Sequence, residues 1–419
     1  MGLRAEIISI GDELLIGQVI NSNAAYIAGQ LNSVGVFADK MTTVGDTESA
    51  ILEAFEKASA SYDVVTVTGG LGPTHDDITR AAVCKFFKTD LIVDASAMEN
   101  IKQRFRQRNI ALIKRNEDQA LVPRGCIVMQ NHHGTAPGYL FERNQKYFFI
   151  MPGVPVEMKG MMEEFVVPYF SNKGLGTSIV HRTLKTTGIA ESLLAEQIGE
   201  VGSLFAPDSG ITLAYLPSST GVRLRITARA GSRASAEKLV HDVEMKLRSK
   251  AERYIYGTDT EELEEVLGTM FTERKLTISV AESCTGGLIA DRLTNVSGSS
   301  HYLERGIVTY SNESKVAELG VPSSFIKLHG AVSREVAEAM AFGVRTKSNS
   351  DIGLSTTGVA GPTGGTSEKP VGLLWIGFSD RHQTSAIRFN FPSDRRSFKE
   401  RASQAALELV RRKLLKIES

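Results

Sequence analysis

Asp63–Thr79 reads DVVTVTGGLGPTHDDIT and Leu276–Gly287 reads LTISVAESCTGG. In each, an apolar run feeds a tight glycine turn and then a helical pattern. The first backbone N–H groups of a helix have no intrahelical acceptor and favour a phosphate or a developing oxyanion. A chain built this way twice is expected to carry two anion-handling sites on two α/β domains. A third loop, Ser355–Gly365 (STTGVAGPTGG), strengthens the second site.

The bulk properties agree with that plan. At 419 residues the chain is too long for one ordinary domain. It is 42% hydrophobic and 23% charged, with zero formal net charge, so no general attraction to nucleic acid or membrane is expected. Three widely separated cysteines (Cys84, Cys126, Cys284) argue against a disulfide framework and a CxxC metal site and suit a reducing cytosol, so a cytoplasmic protein is expected. No stretch is apolar and long enough to span a bilayer, and MGLRAEIISIGDELL lacks signal-peptide organisation. His132 and His133 are adjacent, poor spacing for one metal face, and read as loop.

Along the chain, Glu6–Ile10 reads as the first strand of a parallel sheet and ends at Gly11-Asp12-Glu13. Helical spacing follows over Asn23–Leu31, and Ile51, Leu52, Phe55 and Ala58 mark a second helix with Asp46 or Thr47 as N-cap. Strand Val64–Thr68, helix Ile78–Phe87, strand Tyr147–Met151 and helix Val156–Phe165 complete a three-layer α/β domain, placed at 1–172 and limited by the polar stretch 171–177. Residues 178–256 differ: two strand-like runs, Ile211–Leu216 and Val222–Ala230, precede one helical run, Ala234–Lys250, which reads as a small α+β module. Arg223, Arg225 and Arg229 alternate with apolar residues there and read as a solvated strand face. Alternation resumes over 258–419, with helix Leu263–Thr272, strand Leu276–Ala281 and a last helix Phe398–Leu415. The fold class is therefore α/β, two three-layer domains joined by a small α+β module.

In the first domain, Asp12, Glu13, Asp76 and Asp77 fall at carboxyl ends of strands or in first helical turns. Ligands bind at that edge in open parallel sheets. Carboxylates beside the glycine turn of Gly69, Gly70, Gly72 and Thr74 suit a hard cation bridging phosphates. The same acids also complement helix dipoles, and both readings stay open.

GDELLIGQVINSN, TGGLGPTHDDIT and MPGVPVEM resemble the CinA (competence/damage-inducible) family, whose N-terminal domain is similar to molybdopterin-binding proteins. AESCTGG, YSNESK, TTGVAGPTGG and KPVG resemble that family's C-terminal domain. The middle module resembles the family's KH-type insert in position only; its loop Gly231–Ala234 lacks the second glycine of a GXXG clamp, so nucleic acid is not an expected partner. The resemblance implies a bifunctional hydrolase of pyridine-nucleotide (NAD) salvage. Its N-terminal domain would hydrolyse ADP-ribose to AMP and ribose 5-phosphate with a divalent metal (Mg, Mn or Co). Its C-terminal domain would deamidate nicotinamide mononucleotide (NMN) to nicotinate mononucleotide and ammonia, with no cofactor. The alternatives are a molybdopterin-binding or DNA-uptake protein with one or both sites inactive. A homodimer is expected, since cyclic assemblies are common among soluble enzymes.

Amide hydrolysis needs a nucleophile, a base and an oxyanion hole. Ser283 lies between a strand and a helix expected to start near Thr285, and N–H groups around Cys284, Thr285, Gly286 and Gly287 are placed for an oxyanion. The resemblance places Ser283 and Lys315 as nucleophile and base with Tyr310 nearby. A lysine is a useful base only if burial or nearby cations lower its pKa. Cys284 at a helix N-terminus is a rival nucleophile on physical grounds. Thr356, Thr357, Gly358 and Gly361 are expected to cradle the substrate phosphate. Arg395 and Arg401 would add positive charge there or simply be solvated.

Overall fold

The structure is a computed structural model that describes residues 3–72, 78–107, 111, 113–174 and 178–417. The chain divides into two compact units, Met1–Val180 with Ala228–Lys238, and His181–Thr227 with Leu239–Ser419.

The first unit is built on a six-stranded sheet. Its strands are β1 (Arg4–Ile10), β2 (Phe37–Val44), β3 (Val64–Thr68), β6 (Ile127–Met129), β7 (Gly138–Arg143) and β8 (Lys146–Met151), while β4 (Leu91–Val93) and β5 (Leu121–Pro123) pair separately. The order is β2-β1-β3-β8-β7-β6. β1, β2, β3 and β8 run parallel, and β7 and β6 add an antiparallel edge. Period-two alternation puts side chains on both faces. Ala5, Ile7, Val64 and Phe149 enter one core with helix Ser22–Ser33, and Ile8, Ile10, Val65 and Phe148 enter another with helices Glu48–Ser61 and Thr79–Phe87. Two cores on one sheet make the three layers. Thr47 stands at the cap of Glu48–Ser61 without a side-chain bond to it. Pro155 opens the helix Pro155–Met161, where its missing N–H costs nothing. The antiparallel edge is absent from the sequence reading, which placed a strand there only over Tyr147–Met151; β7 and β6 pair beyond it as a hairpin partner and an edge.

The second unit holds two sheets. One is four-stranded, order β10-β11-β9-β12, from β9 (Ser178–Thr186), β10 (Ile211–Pro217), β11 (Val222–Ala230) and β12 (Ile255–Thr258); the ends of β9 and β11 count with the first unit. The sequence reading found only β10 and β11; β9 and β12 are joined antiparallel across a long stretch of chain, which local periodicity cannot reveal. Arg223, Arg225 and Arg229 lie on the exposed face of β11, as their alternation requires, while Val222, Leu224, Ile226 and Ala228 are buried.

The other sheet is five-stranded, order β14-β13-β15-β16-β17, from β13 (Ile278–Glu282), β14 (Leu303–Val308), β15 (Ile352–Gly358), β16 (Leu373–Ser379) and β17 (Thr384–Asn390). β13 is parallel to both neighbours, and β16 and β17 form an antiparallel edge. Ile278, Val280 and Leu354 face helices Leu263–Arg274 and Arg395–Leu415, and Ala281 faces helix Arg334–Ser348. In both units the chain leaves a central strand (β1, β13) for a neighbour on one side and returns on the other (β3, β15). The gap at those carboxyl ends is where an open sheet receives ligand. No helix among the described residues is long and apolar enough to cross a membrane.

Candidate active sites at the two sheet edges

Ser283 follows β13, and its N–H donates to Thr356 O at the end of β15 (3.0 Å), so it sits at the gap between those strands. Lys315 lies in the first turn of helix Asn312–Leu319, capped by Ser311, whose side chain accepts from Ser314 N. That turn carries the lysine inward: Lys315 is 1% exposed, and Nζ stands 3.0 Å from Ser283 Oγ and 2.8 Å from Thr309 O. Burial lowers its pKa below the ordinary 10.5. A buried lysine with no carboxylate partner among the described residues, against a half-exposed serine, is the arrangement of an activated hydroxyl.

Cys284 is placed differently. It is 5% exposed, its sulfur lies against the Gly358 backbone, and burial raises the thiol to about 12. The helix-terminus argument for a thiolate therefore fails, because the cysteine points into the core.

The helix after Ser283 begins at Leu288, not near Thr285. The cause is Glu282, buried at 1%, whose carboxylate accepts from Gly287 N (3.0 Å), Ile289 N (3.1 Å) and Ala290 N (2.9 Å). Gly286 N donates to Ser283 O (3.2 Å). The expectation that the whole turn offers N–H groups is thus corrected: Gly286 and Gly287 are engaged, and Cys284 and Thr285 N–H remain beside Ser283. Glu282 was missed in the sequence, because a glutamate that ends a strand five residues before the helix cap carries no local capping signal.

The phosphate expectations narrow in the same way. Thr285 and Thr356 hydroxyls are fully buried and bond each other (2.7 Å), and Thr357 Oγ1 donates to Ala331 O (2.8 Å). Gly358 packs against Leu373 O and Phe398, where no side chain fits, so these residues shape the floor. Gly361 O accepts from Arg395 Nη1 (2.9 Å), and Arg395 Nη2 donates to the Tyr310 hydroxyl (2.5 Å). Tyr310 is 61% exposed and offers Lys315 only its backbone carbonyl, at 3.5 Å. Arg401 is not in this group: its Nε donates to Ser219 O (3.3 Å) and its guanidinium lies over Phe391. Lys399 takes the place expected of it, its ammonium beside Gly286, and sequence reasoning did not single it out.

In the first unit the equivalent gap lies between Gly11 and Gly69. Gly69 has φ +116° and a Cβ there would stand 2.2 Å from Ile10 O; Gly70 has φ +67° and a Cβ would stand 2.1 Å from Thr79 Oγ1. Only glycine permits that approach. Gly72 belongs to the same turn, and Thr74, Asp76 and Asp77 lie outside the described residues. Asp12 and Glu13 are exposed in the short helix Asp12–Leu15. Asp12 N–H donates to Asp46 Oδ2 (2.9 Å) and Asp46 N–H to Asp12 Oδ1 (3.2 Å). Among the described residues no group of three or more His, Cys, Asp or Glu closes on a metal position. Asp12 and Glu13 nevertheless supply hard carboxylate oxygens, the donors Mg²⁺ takes alongside phosphate and water. Asn23 donates to Gly153 O (2.7 Å) across this edge, while its buried Oδ1 has no partner among the described residues.

Three family matches tile the chain. Residues 6–172 match a domain described as "Probable molybdopterin binding domain", 181–257 a damage-inducible protein CinA KH domain, and 260–414 a CinA C-terminal domain. A relative in Caldicellulosiruptor saccharolyticus named as a competence-damage inducible protein is 44% identical over 99% of this chain and 100% of its own. A CinA-like protein of Chloroherpeton thalassium is 46% identical over 97% of this chain and 98% of its own. A solved structure of a competence/damage inducible protein from Agrobacterium tumefaciens is 39% identical, covering 36% of this chain and 93% of that one, with a TM-score of 0.36.

Proposed function

The chain belongs to the CinA family, with a molybdopterin-binding-like domain, a KH module and a CinA C-terminal domain, and on that premise we propose that it is a two-site hydrolase of pyridine-nucleotide salvage. The C-terminal domain deamidates NMN, and the N-terminal domain hydrolyses ADP-ribose with a divalent metal. The observation that carries the first activity is the buried Lys315 Nζ at 3.0 Å from Ser283 Oγ.

In this scheme neutral Lys315 accepts the Ser283 hydroxyl proton as Oγ attacks the carboxamide carbon. The oxyanion is met by the N–H groups of Cys284 and Thr285. Collapse returns the proton to the leaving nitrogen and releases ammonia, leaving an acyl ester on Ser283. Water, deprotonated by Lys315, hydrolyses the ester to nicotinate mononucleotide. The Thr309 carbonyl holds Nζ in place throughout.

At the N-terminal site Asp12, Glu13, Asp76 and Asp77 would hold the metal, and the metal would neutralise pyrophosphate charge. The glycine turn admits the phosphates close to backbone. Purified protein assayed on NMN and on ADP-ribose, with and without chelator, tests both readings; no ammonia from NMN would overturn the first, and ADP-ribose hydrolysis in excess chelator the second. The match over 6–172 also favours a second reading of that domain, binding of molybdopterin without hydrolysis. Tight molybdopterin binding with no turnover of ADP-ribose would select it.

A further inference from the structure

The second unit contains a cavity of about 640 Å³ that none of Ser283, Lys315 or Tyr310 lines. Its size falls in the range of small-molecule pockets, roughly 300–1,000 Å³. One wall is the apolar side of β17 and the residues after it: Ile387, Phe389 and Phe391 face it, while Arg388 and Asn390 between them are exposed. The Phe389 and Phe391 rings lie 24° from parallel with centroids 5.6 Å apart. The opposite wall is the turn 187–191 with the hairpin end 217–222. The last helix closes the space.

That helix brings charge and one unmet donor. Arg401, Arg412 and Lys413 line the cavity against Glu191 and Glu408. Glu408 is already met by Arg411, through bonds of 2.7 and 2.9 Å, so the lining is cationic in balance. Gln404 is 4% exposed. Its Oε1 accepts from Arg292 Nη2 (2.9 Å), which fixes the amide's orientation, and its Nε2 is buried without an acceptor among the described residues. A buried N–H left unpaired is costly, so this amide marks a polar spot behind the cavity wall, although the nitrogen itself exposes almost no surface.

We propose that this cavity is a binding site for a small planar aromatic anion. The ring lies on Phe389 and Phe391, and the acidic group takes the charge of Arg401 and Lys413 beside the wall that Gln404 forms. The site is separate from the Ser283 edge and does not depend on the hydrolase reading. Its occupant would tie the segment 187–222 to the last helix, whose Arg395 holds Tyr310.

The full chain is titrated calorimetrically with 1-naphthalenesulfonate and, as the uncharged counterpart, 1-naphthol. The expected result is one saturable sulfonate site per chain and naphthol binding at least about tenfold weaker, equivalent to one lost charge-assisted contact. Gln404→Glu keeps the acceptor for Arg292 but replaces the donor with an anion, and should weaken the sulfonate at least tenfold. Ala190→Trp fills the cavity from an exposed position that tolerates the larger side chain, and should abolish binding with the thermal transition retained. If Gln404→Glu does not fold, Ala190→Trp decides alone. Sulfonate binding unchanged in Ala190→Trp, or no saturable binding to the wild type, overturns the proposal.

Discussion

Lys315 Nζ stands 3.0 Å from Ser283 Oγ, and among the described residues no carboxylate shares the lysine. The pair joins the first turn of one helix to the end of a central strand. Neither residue depends on the thiol between Ser283 and Thr285, and this separates two mechanisms.

Ser283→Ala should lower NMN deamidation by about 10³-fold or more, as loss of a nucleophile does. Cys284→Ala should keep activity within about threefold, because the buried thiol, pushed up to about 12, contributes packing and a contact with Thr356 but no nucleophile. Ammonia release measured on both variants checks this. A dead cysteine variant beside an active serine variant would assign the nucleophile to sulfur.

Lys315→Met should be as inactive as Ser283→Ala, since the two groups act as a unit. In the wild type kcat/KM should rise with pH through the lysine's lowered pKa, because the neutral amine is the base. The stability sign follows. Between the lowered folded pKa and the unfolded 10.5, the unfolded chain binds a proton that the folded one does not. Stability therefore rises with pH across that window, and below it the folded state bears the full cost of a buried charge. Lys315→Met should melt at the same or higher temperature at neutral pH. A lower melting point would contradict the burial argument.

Glu282→Ala should loosen the turn that carries Ser283. Three N–H groups lose one acceptor, a cost of about 2–3 kcal/mol for buried donors. Hydrogen exchange over 284–294 should accelerate by about tenfold or more, with less acceleration in Glu282→Gln, which keeps a carbonyl oxygen. Unchanged exchange would mean that water replaces the carboxylate without cost.

Asp12→Asn retains an acceptor for Asp46 N–H but removes a charge. It should abolish metal-dependent ADP-ribose hydrolysis and leave NMN deamidation intact. Chelator should reproduce that split. Loss of both activities in either experiment would refute two independent sites.

Much of this architecture was legible in the chain alone. Apolar runs of strand length, each ending in glycine, determined two α/β sheets and placed Ser283 and Gly69 at their ligand-receiving edges. The separation of Arg401 from Arg395 was not: the sequence reading began the last helix at Phe398, and only the observed start at Arg395 puts both on one helix, where six residues turn it by about 240°. What only the tertiary structure decided were facts of long-range approach. The burial of Lys315, which lowers its pKa, follows from packing against a strand end distant in sequence. The start of the helix at Leu288 follows from one carboxylate folding back on three amides. The second cavity exists only because segments near 187, 220, 389 and 404 converge, and periodicity carries no record of which distant surfaces meet. Local pattern fixes which face of an element is apolar; the environment that sets a pKa or opens a pocket is made by its neighbours in space.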